Sequence, residues 1–186
     1  IHLAVSGTNI FAGSAFDEGI YRSTDNGGNW TEVNNGLTDL DVTSLTASGT
    51  NIFTGTGGGS PTGGVFRSTD NGENWSLVIN LDARSLTASG TNVFVGTYDA
   101  GIYVSTNNGT NWIQRNQGFG TIPTGIFSLL VANNYIFAGT DYRSLWRRPY
   151  QETIGIQNIS SEIPAEFKLE QNYPNPFNPF TNIKYQ

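Results

Sequence analysis

An eight-residue stretch that occurs three times constrains this chain more than any other feature. It reads Ser-Thr-Asp-Asn-Gly-Gly-Asn-Trp at 23–30, Ser-Thr-Asp-Asn-Gly-Glu-Asn-Trp at 68–75 and Ser-Thr-Asn-Asn-Gly-Thr-Asn-Trp at 105–112, and we call each copy an octet. A longer pattern surrounds the octets. Its phenylalanine recurs as Phe11, Phe53, Phe94 and Phe137, with spacings of 42, 41 and 43 residues. A fixed period of this size is typical of repeat architectures.

The residue types of the octet predict a tight turn between two strands. Asn-Gly between apolar runs is a strong hairpin signal, because Gly accepts a positive φ and Asn tolerates one. Asp25 and Asp70 precede that dipeptide, where a carboxylate can accept hydrogen bonds from N–H groups of the turn. Trp30, Trp75 and Trp112 follow at one offset, and we expect each ring to anchor the next strand against a neighbouring layer.

The octet resembles the Asp-box (BNR) repeat, Ser-x-Asp-x-Gly-x-x-Trp, of sialidase-like β-propellers. Two copies match it fully, and the third has Asn107 in place of Asp. The resemblance implies a structural turn that occurs on proteins with many different functions. The structural positions are Ser23, Asp25, Gly27, Trp30, Ser68, Asp70, Gly72, Trp75, Ser105, Asn107, Gly109 and Trp112.

The repeats predict an all-β fold. Four short antiparallel strands in about 40 residues are the signature of a propeller blade. For blade one we predict strands at 1–5, 9–13, 19–23 and 29–33. Blade two is predicted at about 42–79 and blade three at about 83–115, whereas blade four has strands at 127–131, 135–139 and 144–148 and lacks an octet. The prediction is a β-propeller fragment of about three and three-quarter blades over residues 1–151, followed by an extended C-terminal tail.

Composition excludes several classes of function. A net charge of −6 argues against a nucleic-acid or anionic-membrane partner. The absence of Cys excludes disulfides and thiolate metal sites. Because His2 is the one histidine in the sequence, a multi-histidine zinc site is excluded as well. We expect no cofactor, no metal and no transmembrane segment. Because the chain starts at Ile1 and contains no Met, we interpret it as an internal fragment whose further blades lie upstream.

The tail differs from the repeats. A polar linker is predicted over 152–165, and three prolines then make the remainder, 166–186, extended and rich in turns. That remainder contains the run Gln-Asn-Tyr-Pro-Asn-Pro-Phe-Asn-Pro at 171–179. With this run it resembles the start of the type A C-terminal sorting domain of the type IX secretion system, although Phe180 stands in place of a small hydroxyl residue. The resemblance implies the secretion machinery as a partner, and a location outside, or on the outer surface of, a Gram-negative bacterium. The motif residues are Gln171, Asn172, Tyr173, Pro174, Asn175, Pro176, Phe177, Asn178 and Pro179.

A ligand site in a repeat protein should lie where one blade departs from the others. Because successive strands run antiparallel, the second-to-third and fourth-to-first loops lie on one face, and the octets lie on the opposite face. The candidate ligand residues on the first face are Asp17, Glu18, Tyr98, Asp99, Asp141 and Arg143. Solvated loop tips are the alternative interpretation of these polar residues. Arg22 and Arg67 occupy equivalent positions, which favours a structural role for both.

Three functions are compatible with these patterns. We favour a secreted or cell-surface binding or scaffold propeller without catalytic residues, with an extracellular glycan or protein as ligand. The second is a glycoside hydrolase of the sialidase or xyloglucanase kind, which could use Asp17, Asp99 or Asp141 or carry its catalytic residues in missing blades. The third is an assembly factor similar to the photosystem-assembly propellers, against which the sorting tail argues.

Overall fold

The computed structural model describes residues 1–57, 62–117, 125–141 and 145–155. Within these residues fifteen strands form four antiparallel sheets, three with four strands and one with three. The strands are β1 (His2–Ser6), β2 (Asn9–Ser14), β3 (Gly19–Ser23), β4 (Thr31–Glu32), β5 (Val42–Ser48), β6 (Asn51–Thr56), β7 (Gly64–Ser68), β8 (Ser76–Ile79), β9 (Ala83–Ser89), β10 (Asn92–Thr97), β11 (Ile102–Ser105), β12 (Ile113–Gln114), β13 (Ile126–Ala132), β14 (Tyr135–Thr140) and β15 (Leu145–Pro149).

Each sheet is one blade, because its strands pair in the order of the chain. Blade one is β1-β2-β3-β4, blade two β5-β6-β7-β8, blade three β9-β10-β11-β12 and blade four β13-β14-β15. The predicted all-β blades with an incomplete last blade are therefore confirmed. The fourth strand of blade one is shorter than the predicted 29–33, since the backbone N–H of Asn29 donates to Asp25 Oδ1 (2.8 Å) and belongs to the octet turn.

The hydrophobic core lies between the blades. Phe11 and Ile20 of blade one form one cluster with Val42, Phe66 and Trp75 of blade two. Similar clusters join blade two to blade three and blade three to blade four. Each inner blade therefore buries both faces of its sheet, which explains why apolar residues occur side by side along the strands.

The two ends of the strands carry different connections. We call the end with the octets the turn face and the opposite end the loop face. On the loop face the second-to-third loop of a blade bonds to the fourth-to-first connection: Gly57 N donates to Asp41 O (2.9 Å) and Tyr98 N to Asp82 O (3.0 Å). On the turn face Ser48 Oγ donates to Asn108 Oδ1 of the next octet (3.1 Å).

A single helical turn, α1 (Tyr150–Thr153), follows blade four. Thr153 is fully buried, its carbonyl accepts a hydrogen bond from Arg115 Nε (3.2 Å), and Ile154 packs on the core between blades three and four. The packed unit thus continues past residue 151, where we predicted the propeller part to end. No helix in the described ranges is long and apolar enough to cross a membrane. The predicted sorting motif, 171–179, lies outside the described residues.

Candidate functional site

The three octets adopt the same turn on the turn face. In the first, Ser23 Oγ accepts a hydrogen bond from Gly27 N (2.8 Å) and donates to Asp25 Oδ1 (2.9 Å). The Asp25 carboxylate also accepts from the backbone and side-chain amides of Asn29, at 2.8 and 2.7 Å. Asn26 and Gly27 both have positive φ, at 58° and 90°, as a type I′ turn requires. The side chains of Ser23, Asp25 and Asn29 are thus engaged in hydrogen bonds that close the turn.

The third octet shows what the carboxylate adds. Asn107 Oδ1 accepts from Ser105 Oγ and from Asn111 N, both at 2.9 Å, as the aspartates do in the other copies. In the second octet Asp70 Oδ2 also accepts from Asn74 Nδ2 (2.8 Å), whereas Asn107 has an amide nitrogen in place of that second oxygen. An aspartate therefore adds an acceptor and a negative charge to a turn that forms without them.

The hydrogen bonds of the octet lower the pKa of its aspartate. The side-chain amide of Asn29, its backbone N–H and the Ser23 hydroxyl lower the pKa of Asp25 to about 2, and the side-chain amide of Asn74 contributes most to the lowered pKa of Asp70. Since the folded pKa lies below the unfolded value, the charged turn stabilises the fold above about pH 4, and this stabilisation is lost as the pH falls through the folded pKa.

Asp70→Ala is expected to lower the free energy of unfolding by about 1–3 kcal/mol at pH 7, because turn N–H groups lose their acceptor. The difference from the wild type should shrink as the pH falls through the lowered pKa of Asp70, where the wild-type carboxyl takes up a proton. Urea denaturation at pH 7 and at a series of lower pH values measures it. Asn107→Asp is the matched control and should be neutral or stabilising at pH 7. A silent Asp70→Ala would contradict the role of the carboxylate in the turn.

Arg22 and Arg67 connect adjacent blades. Arg22 Nη1 donates to the carbonyl of Asn71 in the octet of blade two (2.7 Å) and pairs with Glu73 (2.7 Å). Arg67 Nη1 donates to the carbonyl of Asn108 in the octet of blade three (2.7 Å). Both guanidinium groups are therefore engaged in contacts between blades.

A cavity of about 360 Å³ lies where the first strands of all four blades meet. Ile1, His2 and Leu3 line it from blade one, Thr43, Ser44 and Leu45 from blade two, Arg84, Ser85 and Leu86 from blade three, and Phe127, Ser128 and Leu129 from blade four. At one register position of these strands the blades carry different kinds of side chain: Thr43 in blade two, Arg84 in blade three and Phe127 in blade four. The lining of the cavity therefore differs from blade to blade.

Three of the divergent side chains form a cluster beside the cavity, which we call the Arg84 cluster: Arg84, Tyr98 and Phe127. The guanidinium carbon of Arg84 lies 4.9 Å from the centre of the Tyr98 ring, and the Tyr98 and Phe127 rings meet edge to face at 6.2 Å. Asp82 pairs with Arg84 at 2.9 Å. Tyr98 and Phe127 are each about half exposed, at 52% and 47%. The cluster therefore offers two accessible rings held by a charge-compensated arginine.

The structure separates the predicted ligand residues into groups. Tyr98 joins the Arg84 cluster, and Asp141 lies close by, since its backbone N–H donates to Gly125 O (3.2 Å) next to Tyr98 O. Asp99 is exposed on the same loop as Tyr98. Glu18 lines a different, shallow pocket on blade one with Tyr21 and Trp30, and Asp17 adjoins it in a left-handed turn. Arg143 lies outside the described residues.

Arg84 and Phe127 were missing from the sequence prediction, because the search was confined to loops. Both are strand residues at the loop-face ends of β9 and β13. An alignment of the first strands, Val-Thr-Ser-Leu with Ala-Arg-Ser-Leu and Ile-Phe-Ser-Leu, shows them as the divergent position. Among the described residues no three His, Asp or Glu side chains come together as metal ligands do.

Residues 10–142 match the family model described as the DUF6242 beta propeller domain. No curated protein matches the sequence. Among solved structures, the computationally designed Ika4 protein shares 18% identity at a TM-score of 0.61, over 80% of this chain and 89% of its own. The GH74 xyloglucanase from Xanthomonas campestris shares 15% at 0.62, over 80% of this chain and 28% of its own. YCF48 from Cyanidioschyzon merolae shares 19% at 0.57, over 80% and 55%.

These likenesses concern the fold alone, because all three identities are low. The chain spans little more than a quarter of the xyloglucanase and about half of YCF48. The shared element is the succession of antiparallel blades, on which proteins of different function are built.

Proposed function

Since the chain belongs to the DUF6242 β-propeller domain family, we propose that it is a binding module of a secreted or cell-surface protein, with its ligand site at the Arg84 cluster. The observation that carries the proposal is the pair of half-exposed rings, Tyr98 and Phe127, beside a cavity lined by all four blades. The site combines exposed aromatic rings with a concave surface that carries polar side chains, and ligand pockets use such polar groups to orient what they bind.

The chemistry of the cluster favours a neutral glycan. Its rings offer flat apolar surfaces to the C–H faces of a sugar, while hydroxyl-bearing side chains line the adjoining cavity. Thr43, Ser44, Ser85 and Ser128 are the hydroxyl-bearing residues among those that line it. Because Asp82 neutralises Arg84 and the chain carries a net charge of −6, an anionic ligand is disfavoured.

Tyr98→Ala and Phe127→Ala are each expected to weaken glycan binding at least about tenfold, through the loss of one stacking surface. A panel of neutral oligosaccharides on an array identifies the ligand, and titration calorimetry then measures the variants. Ile113→Ala, which removes an exposed side chain from the outer strand β12, is the matched control and should bind like the wild type. Equal binding by all variants, or no binding to any neutral glycan, would contradict the proposal.

The same experiment separates binding from hydrolysis. A glycoside hydrolase would shorten the bound oligosaccharide, which chromatography of the incubated mixture detects. An unchanged oligosaccharide is the result expected of a binding module. The hydrolase alternative needs two carboxyl groups, one on each side of the scissile bond. The Arg84 cluster, which consists of Arg84, Tyr98 and Phe127, offers two aromatic rings to a glycan and contains no carboxyl group.

We also propose that the type IX secretion machinery exports the protein. The support is the motif in the sequence, Gln-Asn-Tyr-Pro-Asn-Pro-Phe-Asn-Pro at 171–179, which resembles the start of that system's sorting domain. The destination would be the extracellular medium or the outer cell surface of a Gram-negative bacterium, where glycans are accessible ligands.

A further inference from the structure

An ion pair joins Asp82 to Arg84, which lines the cavity. Arg84 Nη2 donates to Asp82 Oδ2 at 3.0 Å, and Arg84 Nε lies 2.9 Å from Asp82 Oδ1. Two nitrogens of the guanidinium thus meet one carboxylate, which is the paired arrangement in which arginine recognises carboxylates. The two side chains are only 23% and 20% exposed. Because solvent screens such a pair less than an exposed one, the charge of Asp82 acts strongly on Arg84.

The position of Asp82 has an equivalent in each of two other blades. Asp41 directly precedes β5, Asp82 precedes β9 and Gly125 precedes β13. The backbone carbonyl of each accepts a hydrogen bond from the second-to-third loop of its own blade, at 2.9, 3.0 and 3.2 Å. The backbone is therefore used in the same way in all three blades, and the blades differ here in their side chains.

The side chain at this position corresponds to the residue two places further along. In blade two Thr43 follows Asp41, whose Oδ1 accepts a hydrogen bond from a backbone N–H of the blade one loop at 3.2 Å. In blade four a β-carbon on Gly125 would lie 2.7 Å from Phe127 Cε2, so the ring leaves no room for a carboxylate. Of the three equivalent positions, only that of Asp82 combines an acid with a cation.

A ligand at the Arg84 cluster meets the guanidinium of Arg84, because this group lies 4.9 Å from the centre of the Tyr98 ring and its side chain lines the cavity. The carboxylate of Asp82 already occupies the paired nitrogens of that guanidinium. A carboxylate on the ligand would therefore compete with a tethered acid and would be repelled by its charge. A sugar hydroxyl carries no charge and meets no such repulsion.

We propose that Asp82 is the specificity-determining residue of this site, because its carboxylate occupies the place on Arg84 that the carboxylate of a uronic-acid glycan would take. The inference rests on the proposed glycan binding at the Arg84 cluster and adds the residue that selects the charge of the glycan. A single substitution, Asp82→Asn, then converts the site from neutral to acidic glycans. The amide keeps an oxygen for Arg84 and removes the negative charge.

The test compares the wild type with Asp82→Asn on an array of neutral and uronic-acid oligosaccharides. The wild type should bind neutral members and no acidic member. Asp82→Asn should bind acidic members at least about tenfold more tightly than the wild type does, since the freed guanidinium forms a charge-assisted pair with the ligand. This binding should weaken as the salt concentration is raised, because ions screen the new attraction. An ion pair with only a structural role would produce no such gain.

Asp41→Asn is the matched control, because it removes the same charge from the equivalent position of blade two, where Thr43 replaces the arginine. It should keep the wild-type binding profile. Asp82→Glu retains a carboxylate and should still exclude acidic glycans. Combining Asp82→Asn with Arg84→Gln should abolish the acidic binding, because no guanidinium remains. Asp82→Ser is a second way to remove the charge, and circular dichroism with thermal melting shows which variants are folded.

The outcomes separate this inference from the proposed function. A folded Asp82→Asn or Asp82→Ser protein that binds no acidic glycan overturns the inference, and neutral binding by the wild type then leaves the proposed function standing. If the wild type binds no neutral glycan but Asp82→Asn binds an acidic one, the proposed function fails and the role of Asp82 is supported. Acidic binding by the wild type, an equal gain in Asp41→Asn, or failure of both Asp82 variants to fold would also overturn the inference.

Discussion

Trp75→Ala is expected to lower the free energy of unfolding by about 3–5 kcal/mol, as the loss of a large buried ring does. Trp75 is 4% exposed and packs with Phe11 and Phe66 in the cluster between blades one and two. Its indole N–H also donates to the carbonyl of Val33 at 2.8 Å, so the substitution leaves a buried acceptor without its donor. Urea denaturation followed by circular dichroism measures the change.

Trp30→Ala is the matched control, because Trp30 occupies the same octet position on an uncovered face. Removing this exposed ring should change the free energy of unfolding by about 0.5 kcal/mol or less. Equal losses for the two tryptophans would show that the octet ring stabilises its own turn. The expected inequality would show that it stabilises the contact with the preceding blade.

The fold was predictable because its signals are local. Asn-Gly turns, short apolar runs and a constant period define the strands and their order within each blade, and the register follows from the turns. Burial was not predictable in the same way. Trp30, Trp75 and Trp112 occupy the same position in their octets, yet Trp75 is buried, Trp112 is half-buried and Trp30 is exposed. Their burial differs because it depends on contact with a neighbouring blade, whose residues are distant in the chain.

The candidate site was predictable in part for a related reason. The antiparallel order of the strands was enough to place Tyr98, Asp99 and Asp141 on the loop face. It gave no distances between residues on that face. Arg84 and Phe127 are in strands, and their contact with Tyr98 joins blades three and four. Divergence at one register position is the signal that identifies them, but only the packing of the blades shows that they meet at a cavity.

Deleting everything after Gly155 from the protein as its host produces it is expected to abolish its appearance outside the cell and to trap it in the periplasm. The proposed sorting motif, 171–179, would be lost, while Tyr150 and Ile154, which pack on the core between blades three and four, would be retained. A deletion after Gln151 would also remove Thr153 and Ile154, and with them the hydrogen bond from Arg115. Cell fractionation with immunoblotting measures the location.

The position of the cut determines what the result means. Because the truncated protein keeps the packed unit, its thermal unfolding and its glycan binding should equal those of the intact protein. If the truncated protein is folded and accumulates in the periplasm, the tail is needed for export and does not stabilise the fold. The deletion after Gln151 should instead destabilise the contact between blades three and four, so a loss of secretion there would not separate the two roles. Normal secretion of the protein that ends at Gly155 would refute the sorting proposal, and with it the proposed extracellular location.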